Sequence, residues 1–278
     1  MVQALIPSPT AVSSPISWEK LPDDFLLPDD PVDNINQPTL AAALTDSLFN
    51  AGKLSENSLT TTNYGICARL DGKFVVKAPD WSYIPQITVP KNEVERSYTP
   101  QLQGDTPAIA MEFLSDTDGT EYSSKPTYPP GKWFFYEKIL KVPYYVIFDF
   151  ESARLEVYQL GNGGEYQLQF PEESGRYWIE ILDLYLGVWE GDRENHHQSW
   201  LRWWTKEGEL LLWGTELAQQ EKQRADSEYQ RAESERQRAE SERQRAESER
   251  QRAESEHQRA ERLAAILRAQ GIDPDTIS

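Results

Sequence analysis

From about residue 216 the chain repeats Gln-Arg-Ala-Glu-Ser-Glu-Arg with a seven-residue period, which places Ala at 225, 232, 239, 246, 253 and 260. Nothing in this stretch can build a core, because each repeat holds one small apolar side chain. There is no Gly or Pro from 215 to 270 to interrupt a helix. The repeat therefore predicts one solvated helix of about 80 Å at 1.5 Å per residue. Glu233–Arg236 and Glu235–Arg238 at i,i+3, with Arg236–Glu240 at i,i+4, support such a helix by a few tenths of a kcal/mol each. A firm coiled coil wants two apolar residues per heptad, so a single helix and a loose Ala-seam coil both stay open. Leu263, Ile266 and Leu267 are the better anchors for self-association or a protein partner.

The core must then come from earlier residues. Overall hydrophobic content is 38%, low for a globular chain, but the repeat accounts for most of the shortfall. Residues 1–36 carry Pro7, Pro9, Pro15, Pro22, Pro28 and Pro31 and read as an extended arm. Residues 37–215 read as a globular domain, and residues 216–278 as the helical tail. Pro38 suits the first turn of a helix whose Leu40, Leu44 and Leu48 share one face, ended by Ala51-Gly52. Residues 59–70 and 73–79 are β-like around the hairpin signal Asp71-Gly72. A looser segment over 81–105 leads to an apolar strand at 107–114. Then come a polar loop at 115–131, a helix at about 131–140 and a third apolar strand from Pro143 to Asp149. Ala153–Leu160 and Tyr166–Phe170 make a hairpin around Gly161–Gly164. Trp200, Trp203, Trp204 and Trp213 belong to a last one around Lys206-Glu207-Gly208, packed on the core rather than stacking bases. This order implies a mixed α/β sheet domain.

No run of 18 apolar residues and no signal-type N-terminus occurs, so a cytoplasmic chain with no membrane role is expected. Cys67 lies in an apolar stretch and reads as a buried small hydrophobe. The three histidines make no metal cluster, and His196-His197 falls in a polar loop. Net charge is −18. Up to residue 215 there are 31 acidic and 16 basic side chains, a net of −15, which argues against broad nucleic-acid affinity.

Three residues carry chemistry against that background. Pro79-Asp80 closes the run Phe74–Ala78. Glu112 interrupts the apolar run Ala108–Leu114, where a lone carboxylate is costly unless paired or liganded. Lys132 opens the following helix. An Asp and a Glu brought together by adjacent strands can ligate Mg²⁺, with the backbone carbonyl after the Glu, here Phe113, as a further ligand. A Lys can orient the attacking water and offset transition-state charge in phosphodiester hydrolysis.

These residues resemble the Uma-type restriction-endonuclease-like family of the PD-(D/E)XK nuclease superfamily. The matches are Pro79-Asp80, Glu112-Phe-Leu-Ser115, Lys132-x-x-x-Tyr136 and Val142-Pro-Tyr-Tyr-Val-Ile-Phe-Asp149. The ending Gln270-Gly-Ile-Asp-Pro-Asp275 is similar to that of members with charged helical tails. The resemblance covers about residues 18–215. It implies a restriction-endonuclease-like α/β core with flanking helices. It also implies Mg²⁺ or Mn²⁺ held by Asp80, Glu112 and Phe113, and nucleic acid, DNA first, as substrate. The superfamily's usual Lys two residues after the Glu is replaced here by Leu114, and in this family the next helix supplies it, here as Lys132. Tyr136, one turn on, would orient a phosphate or Lys132. Asp46 lies in the helix that carries the superfamily's additional carboxylate. The alternative is a catalytically silent nuclease fold whose tail recruits partners.

Overall fold

The computed structural model describes residues 15–22, 24–26, 35–114 and 119–271. Most of the Pro-rich arm, Ser115 of the Glu112 motif and residues 272–275 of the C-terminal ending lie outside the described residues. Two compact units divide at Gly214/Thr215.

The first unit opens with β1 (Ile16–Ser17) and α1 (Asn36–Asn50). It continues with β2 (Leu59–Thr61), β3 (Ile66–Leu70), β4 (Lys73–Lys77), β5 (Trp81–Ile84) and β6 (Ile109–Leu114). After β6 come α2 (Lys132–Phe134), continued by a π-helical segment Phe135–Leu140, then β7 (Tyr144–Asp149) and β8 (Arg154–Leu160). β9 (Tyr166–Leu168), β10 (Tyr177–Ile179), β11 (Leu184–Arg193) and β12 (His196–Trp204) complete it. A six-stranded mixed sheet runs β2-β5-β6-β7-β8-β9, with two three-stranded sheets, β1-β3-β4 and β10-β11-β12.

Alternation along β6 separates two cores. Ile109, Met111 and Phe113 join Leu40, Leu44 and Leu48 of α1 and Trp200, Leu201 and Trp203 of β12. Each fully buried aliphatic side chain there is worth about 1.5–3 kcal/mol. On the other face Ala110 packs with Val75 of β4, Phe135, Tyr136, Ile139 and Tyr145. Glu112 lies on this second face because it is two residues from Ala110.

β6 and β7 are parallel, pairing Ile109 with Tyr144 through Leu114 with Asp149. A parallel pair needs a crossover, and α2 with its π-helical continuation provides it. Running back along the sheet, that helix begins near the end where β6 finishes. The crossover thus brings Lys132 towards Glu112. Gly131 before it has no room for a side chain, since a Cβ there would lie 2.0 Å from the Ser123 carbonyl oxygen.

Several local expectations change. The 59–70 run is two strands in different sheets, broken where Asn63 takes a left-handed conformation (φ 45°). The 81–105 segment contains β5, an interior strand of the main sheet. The last hairpin does turn at Lys206-Glu207-Gly208, with Trp204 bridging Leu210 antiparallel, but a longer one precedes it, β11–β12, turning at Glu194-Asn195 with both φ positive (52° and 65°). His196 and His197 therefore sit in a strand rather than a loop, exposed, with His197 beside Asp192 and Glu190. Trp200, Trp203 and Trp213 are buried, with the Arg202 guanidinium 3.4 Å from the Trp213 ring centroid, so these rings pack and are closed to bases. Cys67 is buried too, and burial pushes its thiol up to about 12.

The second unit is helical. α3 (Gly214–Ala269) is continuous, with none of its residues buried. Arg224 and Glu228 pair at i,i+4, and Ser227, Ser234, Ser241 and Ser248 return their hydroxyls to backbone carbonyls three or four residues earlier. No helix among the described residues is long and apolar enough to cross a membrane.

Candidate active site

β5 and β6 are antiparallel, with Trp81 opposite Met111 and Ser82 opposite Ala110. One step further along this register sets Asp80 opposite Glu112, on the same face. Directly opposed residues carry their Cβ atoms about 5 Å apart. The sequence reading takes Asp80 from the end of β4. In the structure β4 belongs to another sheet, and Asp80 is aimed by the strand that follows it. Its Oδ2 accepts from the Phe113 amide at 2.6 Å, which ties the carboxylate to the backbone beside Glu112.

The Glu112 side chain is fully buried, and both of its oxygens are engaged. The Lys132 ammonium donates to Oε2 at 2.9 Å, and the Tyr136 hydroxyl donates to Oε1 at 2.9 Å. Lys132 and Tyr136 are four residues apart on one helix, so a single face delivers both donors. The helix turns π-helical at Phe135, a distortion often found at functional sites. Burial pushes the Glu112 carboxyl up to about 8, Asp80 adds to the rise, and Lys132 and Tyr136 pull it back. Burial alone would lower Lys132. Glu112, Glu121 and Asp80 outweigh it and hold the ammonium above the usual Lys range. The two shifts pull against each other, since the rise at Lys132 leans on an ionised Glu112. Complete burial decides for a raised Glu112, and Lys132 stays cationic in either state because Glu121 and Asp80 remain beside it.

The site also contains Gln37 and Glu121, which the sequence reading passes over. Gln37, in the first turn of α1, donates Nε2 to the Phe113 carbonyl at 2.7 Å and is buried with it. Glu121, in a 3₁₀ turn (Thr120–Tyr122), lies 3.4 Å from the Lys132 ammonium, and its carbonyl accepts from the Tyr145 hydroxyl at 2.9 Å. Lys77 on β4 is half-buried. Burial lowers its pKa, as do the nearby Lys132 and Lys125 charges. No periodic pattern marks Gln37 or Glu121. Asp46 serves elsewhere: it accepts from the Gly214 amide at 3.0 Å and pairs with Arg193 at 3.6 Å. At the Asp80/Glu112 site α1 contributes an amide.

Among the described residues no group of three or more His, Cys, Asp or Glu side chains is arranged to hold a metal ion. Asp80, Glu112 and the Phe113 carbonyl form a different kind of set. It has two carboxylates and a main-chain oxygen, all hard donors. That fits Mg²⁺, which binds through one or two carboxylates and keeps several waters. A family model described as "Uma2: Putative restriction endonuclease" matches residues 26–190, a span that holds Asp80, Glu112, Lys132 and Tyr136. No curated protein matches the chain.

Proposed function

The chain belongs to the Uma2 family, matched over more than half its length, and from that premise we propose that its first unit is a divalent-metal-dependent endonuclease acting on nucleic acid, DNA first. One observation carries the reading. A fully buried glutamate stands opposite an aspartate across a strand pair and is held at 2.9 Å by a lysine from the crossover helix. Burying a carboxylate costs several kcal/mol unless it is matched, and here a lysine and a tyrosine converge on it beside a second carboxylate.

Asp80, Glu112 and the Phe113 carbonyl would hold Mg²⁺ or Mn²⁺, which when bound supplies Lewis-acid polarisation of a phosphoryl oxygen and acidifies a water. Asp80 is held for this task by the Phe113 amide, and Gln37 fixes the Phe113 carbonyl. Tyr136 holds one Glu112 oxygen in place. Lys132 stays cationic and offsets the negative charge that develops on the pentacovalent phosphorus, and its ammonium can orient the attacking water. Tyr136 stays protonated, since burial beside Glu112 raises its phenol well above the ordinary value.

A second reading is a silent nuclease fold whose charged helix recruits partners. The net charge of −15 over residues 1–215 favours it. Turnover on single- and double-stranded DNA and RNA, with Mg²⁺, Mn²⁺ or EDTA, separates the two. The endonuclease reading expects cleavage only with metal. It also expects saturable Mn²⁺ binding that Asp80→Asn weakens at least tenfold, as loss of one of two carboxylates should. Stoichiometric Mn²⁺ binding without cleavage of any substrate would favour the silent fold.

A further inference from the structure

The first unit is strongly acidic, yet two of its segments are not. Residues 72–79 and 122–136 contain Lys73, Lys77, Lys125 and Lys132 and no acidic residue. The fold brings these two segments together. The Tyr128 hydroxyl donates to the Phe74 carbonyl at 3.2 Å, and the Lys73 ammonium lies 4.9 Å from the Tyr128 ring centroid. The loop that carries Lys125 therefore rests on β4. It is closed by the Gly131 amide, which donates to the Lys125 carbonyl at 2.9 Å. Along β4, Lys73, Val75 and Lys77 share one face, Val75 packs into the same core as Tyr136, and Lys77 feels the charges of Lys132 and Glu112. Lys77 is thus directed to the layer in which Lys132 meets Glu112.

We propose that Lys73, Lys77 and Lys125 form a phosphate-binding lane that leads a nucleic-acid backbone to the Asp80/Glu112/Lys132 site. The proposal rests on the nuclease reading for what the lane feeds, and its chemistry is its own. Burial lowers the pKa of Lys77, and the Lys132 and Lys125 charges add to the fall while Glu112 opposes it, so these cations are near enough to repel one another. Such an arrangement loses energy until an anion arrives. The ligand must be polyanionic and extended, because the lysines are spread over a strand and a loop. Phosphodiester backbone meets both demands. Lys91 is outside the lane: its 3₁₀ turn (Lys91–Val94) packs through Val94 with Ile84, Ile87 and Tyr98. The lane also reconciles the charge with the activity. A short basic strip on an acidic body gives a small footprint and little non-specific affinity, since each neutralised phosphate contributes separately to salt-dependent binding.

The test is fluorescence anisotropy of a labelled DNA duplex in EDTA, with salt varied from low to physiological concentration. Four phosphate contacts predict a slope of log affinity against log salt of about −3.5. Lys73→Met, Lys77→Met and Lys125→Met should each reduce that slope by about one. The triple variant should leave a slope of about −1, and Lys91→Met should change nothing. Met keeps the aliphatic stem, so the fold is retained, and circular dichroism verifies it. In turnover, Lys73→Met and Lys125→Met should raise KM severalfold and leave kcat within twofold. Slope losses without turnover in any protein would support the lane and sink the nuclease reading. Turnover by wild type with an undiminished slope in the triple variant would overturn the lane alone. A glutamate-rich peptide that competes as well as DNA would also overturn it, by showing a generic acid-binding patch.

Discussion

On the proposed endonuclease reading, Lys132→Met should lower single-turnover cleavage by about 10²–10³-fold, the usual effect of removing one preorganised stabiliser of transition-state charge, while Mn²⁺ affinity and fold are kept. The position two residues after Glu112 holds Leu114, whose side chain can offer no charge to a phosphorane. The cation comes from the crossover helix, and the side chain that brings it is three-quarters buried and fixed by Glu112 and Glu121. Met preserves the stem and deletes the ammonium. Glu112 keeps its Tyr136 hydrogen bond in the variant. Lys132→Arg should rescue little, because a planar guanidinium is bulkier than an ammonium and cannot concentrate its charge at one point. Full cleavage by Lys132→Met would move the role to Lys125 or Lys77.

Glu112→Gln has the second large effect, and it runs in opposite directions for stability and activity. The folded Glu112 carboxyl titrates at about 8, against an ordinary value of 4.5. Between those values the folded chain binds a proton that the unfolded chain has released. Its contribution to stability is therefore complete below about 4.5 and is lost as pH rises through 8. From pH 5 to 7.5 the loss is on the order of 3 kcal/mol. Gln cannot ionise. In EDTA, urea unfolding should show variant and wild type nearly equal at pH 5 and the variant more stable at pH 7.5, with no cleavage by the variant at either pH. Mn²⁺ should then stabilise wild type far more than the variant, because metal binding compensates an ionised Glu112. A stability difference that does not change with pH would mean that Lys132 already keeps Glu112 ionised at pH 5.

The parts of this molecule written in local pattern are legible in the sequence. The heptad tail reads as a helix because its support lies within three or four residues, and α3 has that form. Glu112 stands out because it breaks an apolar run. Lys132 and Tyr136 are visible as an i,i+4 pair. What fails is whatever the register decides. β5 is four residues long between Pro79-Asp80 and Pro85, too short to show alternation, so the sequence pattern places Asp80 on the strand before it. The β11–β12 turn uses Glu194-Asn195 in left-handed conformations, without the Gly that usually marks such a turn. Gln37 and Glu121 reach the site through contacts 76 and 11 residues away in sequence, to Phe113 and Lys132. A single polar residue carries no periodicity, so neither can be picked out before the chain is folded.

Conversion of supercoiled plasmid to nicked and linear forms by wild type and by Glu112→Gln, purified identically and compared in Mg²⁺, Mn²⁺ and EDTA, tests the central claim most directly. The account predicts cleavage by wild type in either metal, none in EDTA, and none by Glu112→Gln in any condition. Equal cleavage by the two proteins, or wild-type cleavage that persists in EDTA, would contradict it.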